Sequence, residues 1–256
     1  MDYNKIYNED CFATLKRFRE RAIDVILTSP PYNTGRVSTS ERSRNNYESR
    51  YDIHLDNQTE EEYLDWSVKL FNEMDTALKE NGVILYNISY GAEKNANLLW
   101  LLLAELIRKT NFMVADCITW KKSSALPNNV SRNKLTRITE FVFVFCRKTE
   151  YSTYFANKRV KSVSRTGQKY YENLFNFIEA RNNDGTCPLN KATYSSELCD
   201  KLLTMYAPEN ALVYDPFMGT GTTAVSCKRL GLRYVGSELS PKQVEWAEER
   251  IKGDGV

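Results

Sequence analysis

Residues 211–231 read ALVYDPFMGTGTTAVSCKRLG. An apolar run closes on Asp215, a glycine-rich turn follows, and a helical pattern begins at Thr222 and stops at Gly231. Glycines at 219 and 221 let the backbone approach a bound group closely, and a helix starting at Thr222 turns free amides toward it. The next strand-like run, RYVGSE (233–238), ends on Glu238, near the spacing at which an acid takes ribose hydroxyls in nucleotide-binding sheets. Strand, tight turn, helix and strand in that order is the repeating unit of a parallel α/β sheet.

The same rhythm runs through most of the chain. AIDVIL (22–27), GVILYNI (82–88), MVADCITW (113–120), EFVFVFC (140–146) and NALVYD (210–215) are rich in Val, Ile, Tyr and Phe, as buried strands are. Leu64, Val68, Phe71, Met74 and Leu78 form a helical stripe over 59–80, with Thr59 and Glu62 as a capping box and Gly82 just past the end. Further helices are predicted over Ala92–Lys109, over Thr222–Leu230, and from Ser240, where Pro241 takes the first helical position and Gln243 completes a second box. The expected fold class is α/β, a mostly parallel sheet with helices on both faces. Two segments fall outside the pattern: residues 34–58, polar and long enough for a mobile functional loop, and residues 149–186, basic and aromatic without a clear period.

A second stretch, ILTSPPYNTG (26–35), stops an apolar strand on two prolines. Pro30 and Pro31 remove two backbone donors and fix two φ angles, so they make a stiff corner between the Ser29 hydroxyl and the Tyr32 ring. Such a corner suits a planar polar ligand. Ligands of open α/β sheets sit outside the carboxyl ends of the strands, where both the corner and the glycine turn lie, so one cleft can serve both.

Composition bounds the rest. A chain of 256 residues, 42% hydrophobic and 27% charged, can bury one sizeable core. No apolar stretch approaches the ~20 residues of a membrane span, and MDYNKIYNED is too polar for a secretory signal, so no membrane partner and a cytoplasmic location are expected. Six cysteines without a CxxC pair, and one histidine, His54, point to reduced buried thiols rather than a metal site. The net charge of +2 hides three basic groups. They are Arg36, Arg42, Arg44 and Arg50; Lys121, Lys122, Arg132, Lys134 and Arg137; and Lys158, Arg159, Lys161, Arg165 and Lys169. They line either a phosphate-binding face or an ordinary solvated surface.

Together these residues resemble the amino-methylating DNA methyltransferases, in the permuted beta group of the restriction-modification type. TSPPY (28–32) is similar to their catalytic motif and DPFMGTGTT (215–223) to their cofactor motif, with the catalytic motif first. The resemblance implies a circularly permuted Rossmann-like methyltransferase fold, with both chain ends at one sheet edge, KIYNED supplying the third strand and RYVGSE the second. It makes residues 1–148 a catalytic half, 149–186 a target-recognition insertion and 187–256 the half that binds S-adenosylmethionine. NEDCFATL (8–15) resembles the segment where Asp10, with Cys11, reaches the adenine end. Asp215, Pro216, Phe217, Gly219, Gly221, Thr222, Thr223, Glu238 and Leu239 fall in the remaining cofactor motifs. NKATYSSEL (190–198) occupies the place of a His-Pro-Ala-x-Phe-Pro segment, with Asn190 and Lys191 in place of His-Pro, leaving Thr193 and Tyr194 to meet the cofactor. Double-stranded DNA is the implied substrate, and the resemblance allows a homodimer and a cognate restriction endonuclease.

The implied chemistry suits the residues. The exocyclic amine of a base is a poor nucleophile because its lone pair is delocalised into the ring. Acceptors for both amine hydrogens localise that pair, and Ser29 Oγ and the Pro30 carbonyl, held by Pro31, are such acceptors. Tyr32 is expected to stack on the flipped base. No covalent intermediate and no metal are required. Ser in the first motif position favours cytosine N4, with adenine N6 as the alternative. A protein or RNA amine methyltransferase, or a DNA-binding module without turnover, fits the motif order or the intact corner less well.

Overall fold

A computed structural model describes residues 1–18, 20–33, 58–89, 96–124, 132–133, 135–185 and 193–253. In chain order its elements are β1 (Lys5–Tyr7), α1 (Cys11–Leu15), β2 (Ile23–Thr28), α2 (Glu60–Ala77), β3 (Leu78–Ile88), α3 (Leu98–Lys109), β4 (Phe112–Lys122) and β5 (Thr139–Arg147). Then follow β6 (Val160–Val163), β7 (Lys169–Tyr171), β8 (Phe177–Ala180), α4 (Ser196–Tyr206), β9 (Leu212–Asp215), α5 (Thr222–Arg229), β10 (Arg233–Ser237) and α6 (Pro241–Gly253).

Among the described residues, one sheet has the order β1-β10-β9-β2-β3-β5-β4-β8, and β6 and β7 form a separate ribbon. Pairing is parallel from β1 through β3 and between β4 and β8, while β5 runs antiparallel to both neighbours. A two-residue side-chain period explains how the central strands serve two faces. Val25, Leu27, Val142, Val144 and Val213 cluster with Leu198 and Leu202 of α4, Ala224 of α5 and Ala247 of α6. Ile26, Phe143, Phe145 and Tyr214 cluster with Leu15 of α1, Leu70, Phe71 and Met74 of α2 and Leu102 and Leu106 of α3. Each large apolar side chain so buried contributes about 1.5–3 kcal/mol, which fixes three helices on each face. No helix among the described residues is long and apolar enough to cross a membrane.

The permuted order is visible at the sheet edge, where β1, from the amino-terminal part, pairs with β10, from the carboxyl-terminal part. The capping box of α2 is formed, with Thr59 Oγ1 accepting from the Glu62 amide at 3.2 Å and Glu62 Oε2 from the Thr59 amide at 2.8 Å. Several expectations need correction. Gly82 does not end α2: the helix passes straight into β3 through an extended Leu78, and Asn81, at φ 60°, takes the left-handed position. Gly82 instead lies inside β3, where a Cβ would meet the Asp24 carbonyl at 3.0 Å. The described part of α3 begins at Leu98 rather than Ala92; residues 92–95 lie outside the described residues. Residues 149–186 are not wholly an insertion, since β8 extends the main sheet and Tyr154 and Ala156 pack on its core.

Candidate active site

β2 and β9 are adjacent and in parallel register, Val25 opposite Val213 and Ile26 opposite Tyr214, so both end at the same edge of the sheet. There Thr28 Oγ1 donates to Asp215 Oδ1 at 2.9 Å. Asp215 Oδ1 also accepts from the Phe217 amide at 3.0 Å, and Oδ2 lies 2.6 Å from Thr223 Oγ1 and 3.0 Å from Tyr194 Oη. The carboxylate is 1% exposed, and its burial raises its pKa above 3.8 against the opposing pull of those four donors. Asp215 is thus spent inside the protein, a brace between the two loops rather than an open ligand contact.

The corner itself is held from two sides. Tyr63 of α2, buried, donates to the Pro31 carbonyl at 2.8 Å, and Asn33 Nδ2 donates to the Gln58 carbonyl at 2.9 Å. Ser29 and Tyr32 are half-buried. Ser29 Oγ donates to Tyr32 Oη at 3.1 Å, and Tyr32 Oη lies 3.3 Å from Asn87 Oδ1 and 3.5 Å from Glu140 Oε2. Asn87 Nδ2 donates to the Phe141 carbonyl at 3.0 Å, which turns Oδ1 toward Tyr32. Lys122 Nζ pairs with the other oxygen of Glu140. Asn87, Glu140 and Tyr63 escape a reading of the sequence because none carries a local signature; the sheet edge gathers them from β3, β5 and α2.

On the other side of the corner, Gly219 and Gly221 both take left-handed backbone, at φ 53° and 82°. Glu238 Oε2 accepts from the Gly219 amide and Oε1 from the Ser240 amide, each at 2.9 Å, so the acid ties the turn to the start of α6. Asp10 accepts from the Phe12 amide at 2.9 Å and caps α1. Cys11 is buried, and burial pushes its thiol up to about 12. Asn8 Nδ2 bonds the carbonyls of Glu238 and Leu239, which brings the β1 and β10 ends together. Phe217 is half-buried, with its ring 5.8 Å from that of Trp66. Thr193 lines a cavity with Thr220, Trp246 and Arg250, and Arg250 donates to Thr222 Oγ1 at 3.0 Å. Pro216, buried, opens the turn.

The basic residues divide. Lys121 pairs with Glu179 at 2.9 Å and Lys122 with Glu140, so both carry internal partners, contrary to a simple phosphate-facing row. Arg132, Lys158, Arg159 and Lys161 are exposed, the last on β6, beside exposed Tyr170 and Tyr171 of β7. Arg36, Arg42, Arg44 and Lys134 lie outside the described residues.

A family model described as DNA methylase, of the N6/N4 type, matches residues 23–249. Type II methyltransferase M.BglII of Bacillus subtilis is 23% identical over 98% of this chain and 69% of its own length. Among solved structures, PvuII DNA methyltransferase, titled cytosine-N4-specific, superimposes with a TM-score of 0.72 at 19% identity, covering 99% of this chain and 92% of that one. A complex of M1.HpyAVI with SAM gives 0.60 at 20% identity, covering 96% and 98%.

Proposed function

Since the chain belongs to the N6/N4 family of DNA methylases, we propose that it transfers a methyl group from S-adenosylmethionine to N4 of cytosine in double-stranded DNA, with the base flipped out of the helix. The observation that carries this reading is the 2.9 Å bond from Thr28 to Asp215, which sets the Ser-Pro-Pro-Tyr corner beside the glycine turn.

The residues present suit that cofactor. The Glu238 carboxylate at the end of β10 has lone pairs for ribose hydroxyls, the Phe217 ring offers an apolar face, and Gly219 and Gly221 leave room for close approach. Bound there, S-adenosylmethionine supplies an electrophilic methyl on sulfonium. Ser29 Oγ and the Pro30 carbonyl accept the amine hydrogens and localise the lone pair, and Tyr32 stacks on the base. A Ser hydroxyl is neutral and takes up a proton poorly, the character that in the resembled family accompanies cytosine. Lys158, Arg159 and Lys161 supply the charge for the DNA backbone.

The test is to incubate the protein with unmethylated genomic DNA and labelled S-adenosylmethionine, digest to nucleosides and identify the labelled base by mass spectrometry. Label on cytosine N4 is expected. Label on adenine N6 would keep the chemistry and overturn the base; no label in DNA would overturn the proposal.

A further inference from the structure

Ser29 has one hydrogen and two lone pairs, so whether it donates or accepts decides whether it can activate an amine. An amine nitrogen whose lone pair is to attack must give its hydrogens away. Ser29 therefore helps only if its own hydrogen is already committed elsewhere.

The edge of the sheet commits it. A carboxylate paired with an ammonium can only accept, and Glu140 is so paired by Lys122. Asn87 is locked with its oxygen outward by the bond from Nδ2 to the Phe141 carbonyl. Tyr32 Oη stands between these two acceptors, at 3.3 and 3.5 Å, and points its one hydrogen at the pair. Its oxygen accepts from Ser29 at 3.1 Å. We propose that Asn87 and Glu140 are positioning residues that act through the Tyr32 hydroxyl to fix Ser29 as an acceptor. The inference rests on the reading that Ser29 takes a hydrogen of the target amine. It gives the Tyr32 side chain two separable duties, a ring that stacks and a hydroxyl that sets polarity.

Glu140→Gln is the sharpest probe. Lys122 keeps hold of the amide oxygen, which turns the new NH2 toward Tyr32 and places a donor where an acceptor stood. Single-turnover methyl transfer to genomic DNA is measured for the wild type, Tyr32→Phe, Glu140→Gln, the double variant and Ser29→Ala, with S-adenosylmethionine affinity by calorimetry as the check on the fold. Loss of one such hydrogen bond lowers the rate about three- to tenfold. The expected result is that loss in each single variant, cofactor affinity unchanged within about twofold, and no further loss when Glu140→Gln is added to Tyr32→Phe. An equal loss in both backgrounds would mean that Glu140 acts apart from the Tyr32 hydroxyl and overturns the proposal, as does a full rate in Tyr32→Phe or Glu140→Gln. Should Glu140→Gln fail to fold, Asn87→Ala is measured in the wild-type and Tyr32→Phe backgrounds instead, where a loss in the first and none in the second is expected and an equal loss in both overturns the proposal. A full rate in Ser29→Ala would instead defeat the underlying reading of the corner, an outcome distinct from failure of the relay.

Discussion

Gly221 combines two constraints that can be separated by substitution. Its φ of 82° is left-handed, and a Cβ there would stand 2.8 Å from the Ala247 Cβ and 3.2 Å from its Cα, where α6 crosses the turn. The left-handed backbone costs an alanine about 1–2 kcal/mol, and forcing a methyl into a packed contact costs about 1–3 kcal/mol more. Gly231, just past α5, has a similar φ of 68° but no atom of the described residues within 4 Å of its added Cβ. Gly231→Ala should therefore lose about 1–2 kcal/mol and Gly221→Ala about 2–5 kcal/mol, which for a chain of this size lowers Tm by roughly 2–4 °C per kcal/mol. Urea unfolding of the cofactor-free protein measures both. In Gly221→Ala with Ala247→Gly the nearest clash is gone, so part of the loss returns despite the cost of about 0.5–1 kcal/mol for a glycine within α6. Equal destabilisation by the two single substitutions, within about 0.5 kcal/mol, would refute the close approach of α6 to the turn.

Two further outcomes follow from charge. Because burial raises the Asp215 pKa, its contribution to stability is full below its unfolded value and is lost as pH rises through the folded one. The wild type should gain on Asp215→Asn as pH falls from neutral toward 4, and urea midpoints that keep a constant difference, or diverge the other way, refute the assignment. Replacing Lys158, Arg159 and Lys161 together by Ala should flatten the dependence of DNA affinity on salt by about 0.9 in the log–log slope for each phosphate that is no longer neutralised. An unchanged slope would return those side chains to the ordinary solvated surface.

The sequence carries most of the fold and half of the site, for physical reasons. β-branched runs locate the central strands because burial on both faces demands continuous apolar side chains, and Thr59 with Glu62 marks the start of α2 because the two satisfy each other locally. Strand direction is not local: nothing in EFVFVFC says that β5 is reversed. α4 is hidden for a similar reason, since its cap, Ser195, has Leu198 rather than an acid at the third helical position and so lacks a capping box. Gly82 misleads because an asparagine, Asn81, takes the left-handed turn that a glycine usually takes. Lys121 finds its acid 58 residues away on a neighbouring strand, and Lys122 finds Glu140 across the adjacent one. No count of charge along the chain reveals such pairing.

The rigidity of the corner is incomplete in its own sequence, and α2 completes it. Proline rings fix φ of residues 30 and 31, and a residue before proline is confined to extended backbone, which narrows ψ of Ser29 and Pro30. The first torsion that no ring restrains is ψ of Pro31, and it sets both the direction of the Pro31 carbonyl and the path by which Tyr32 leaves the corner. Tyr63 holds that carbonyl at 2.8 Å from a buried position. Three residues along the same helical face, Trp66 rests against Phe217 of the glycine turn. One helix thus restrains the last free torsion of the corner and one wall of the turn, while the Thr28–Asp215 bond joins the two loops beneath, across 187 residues of sequence. Acceptors that must meet a weakly nucleophilic amine lower its barrier only if they stand in place before it arrives. A corner with one loose torsion would spend that advantage on its own reorganisation, and the bond from Tyr63 removes the looseness.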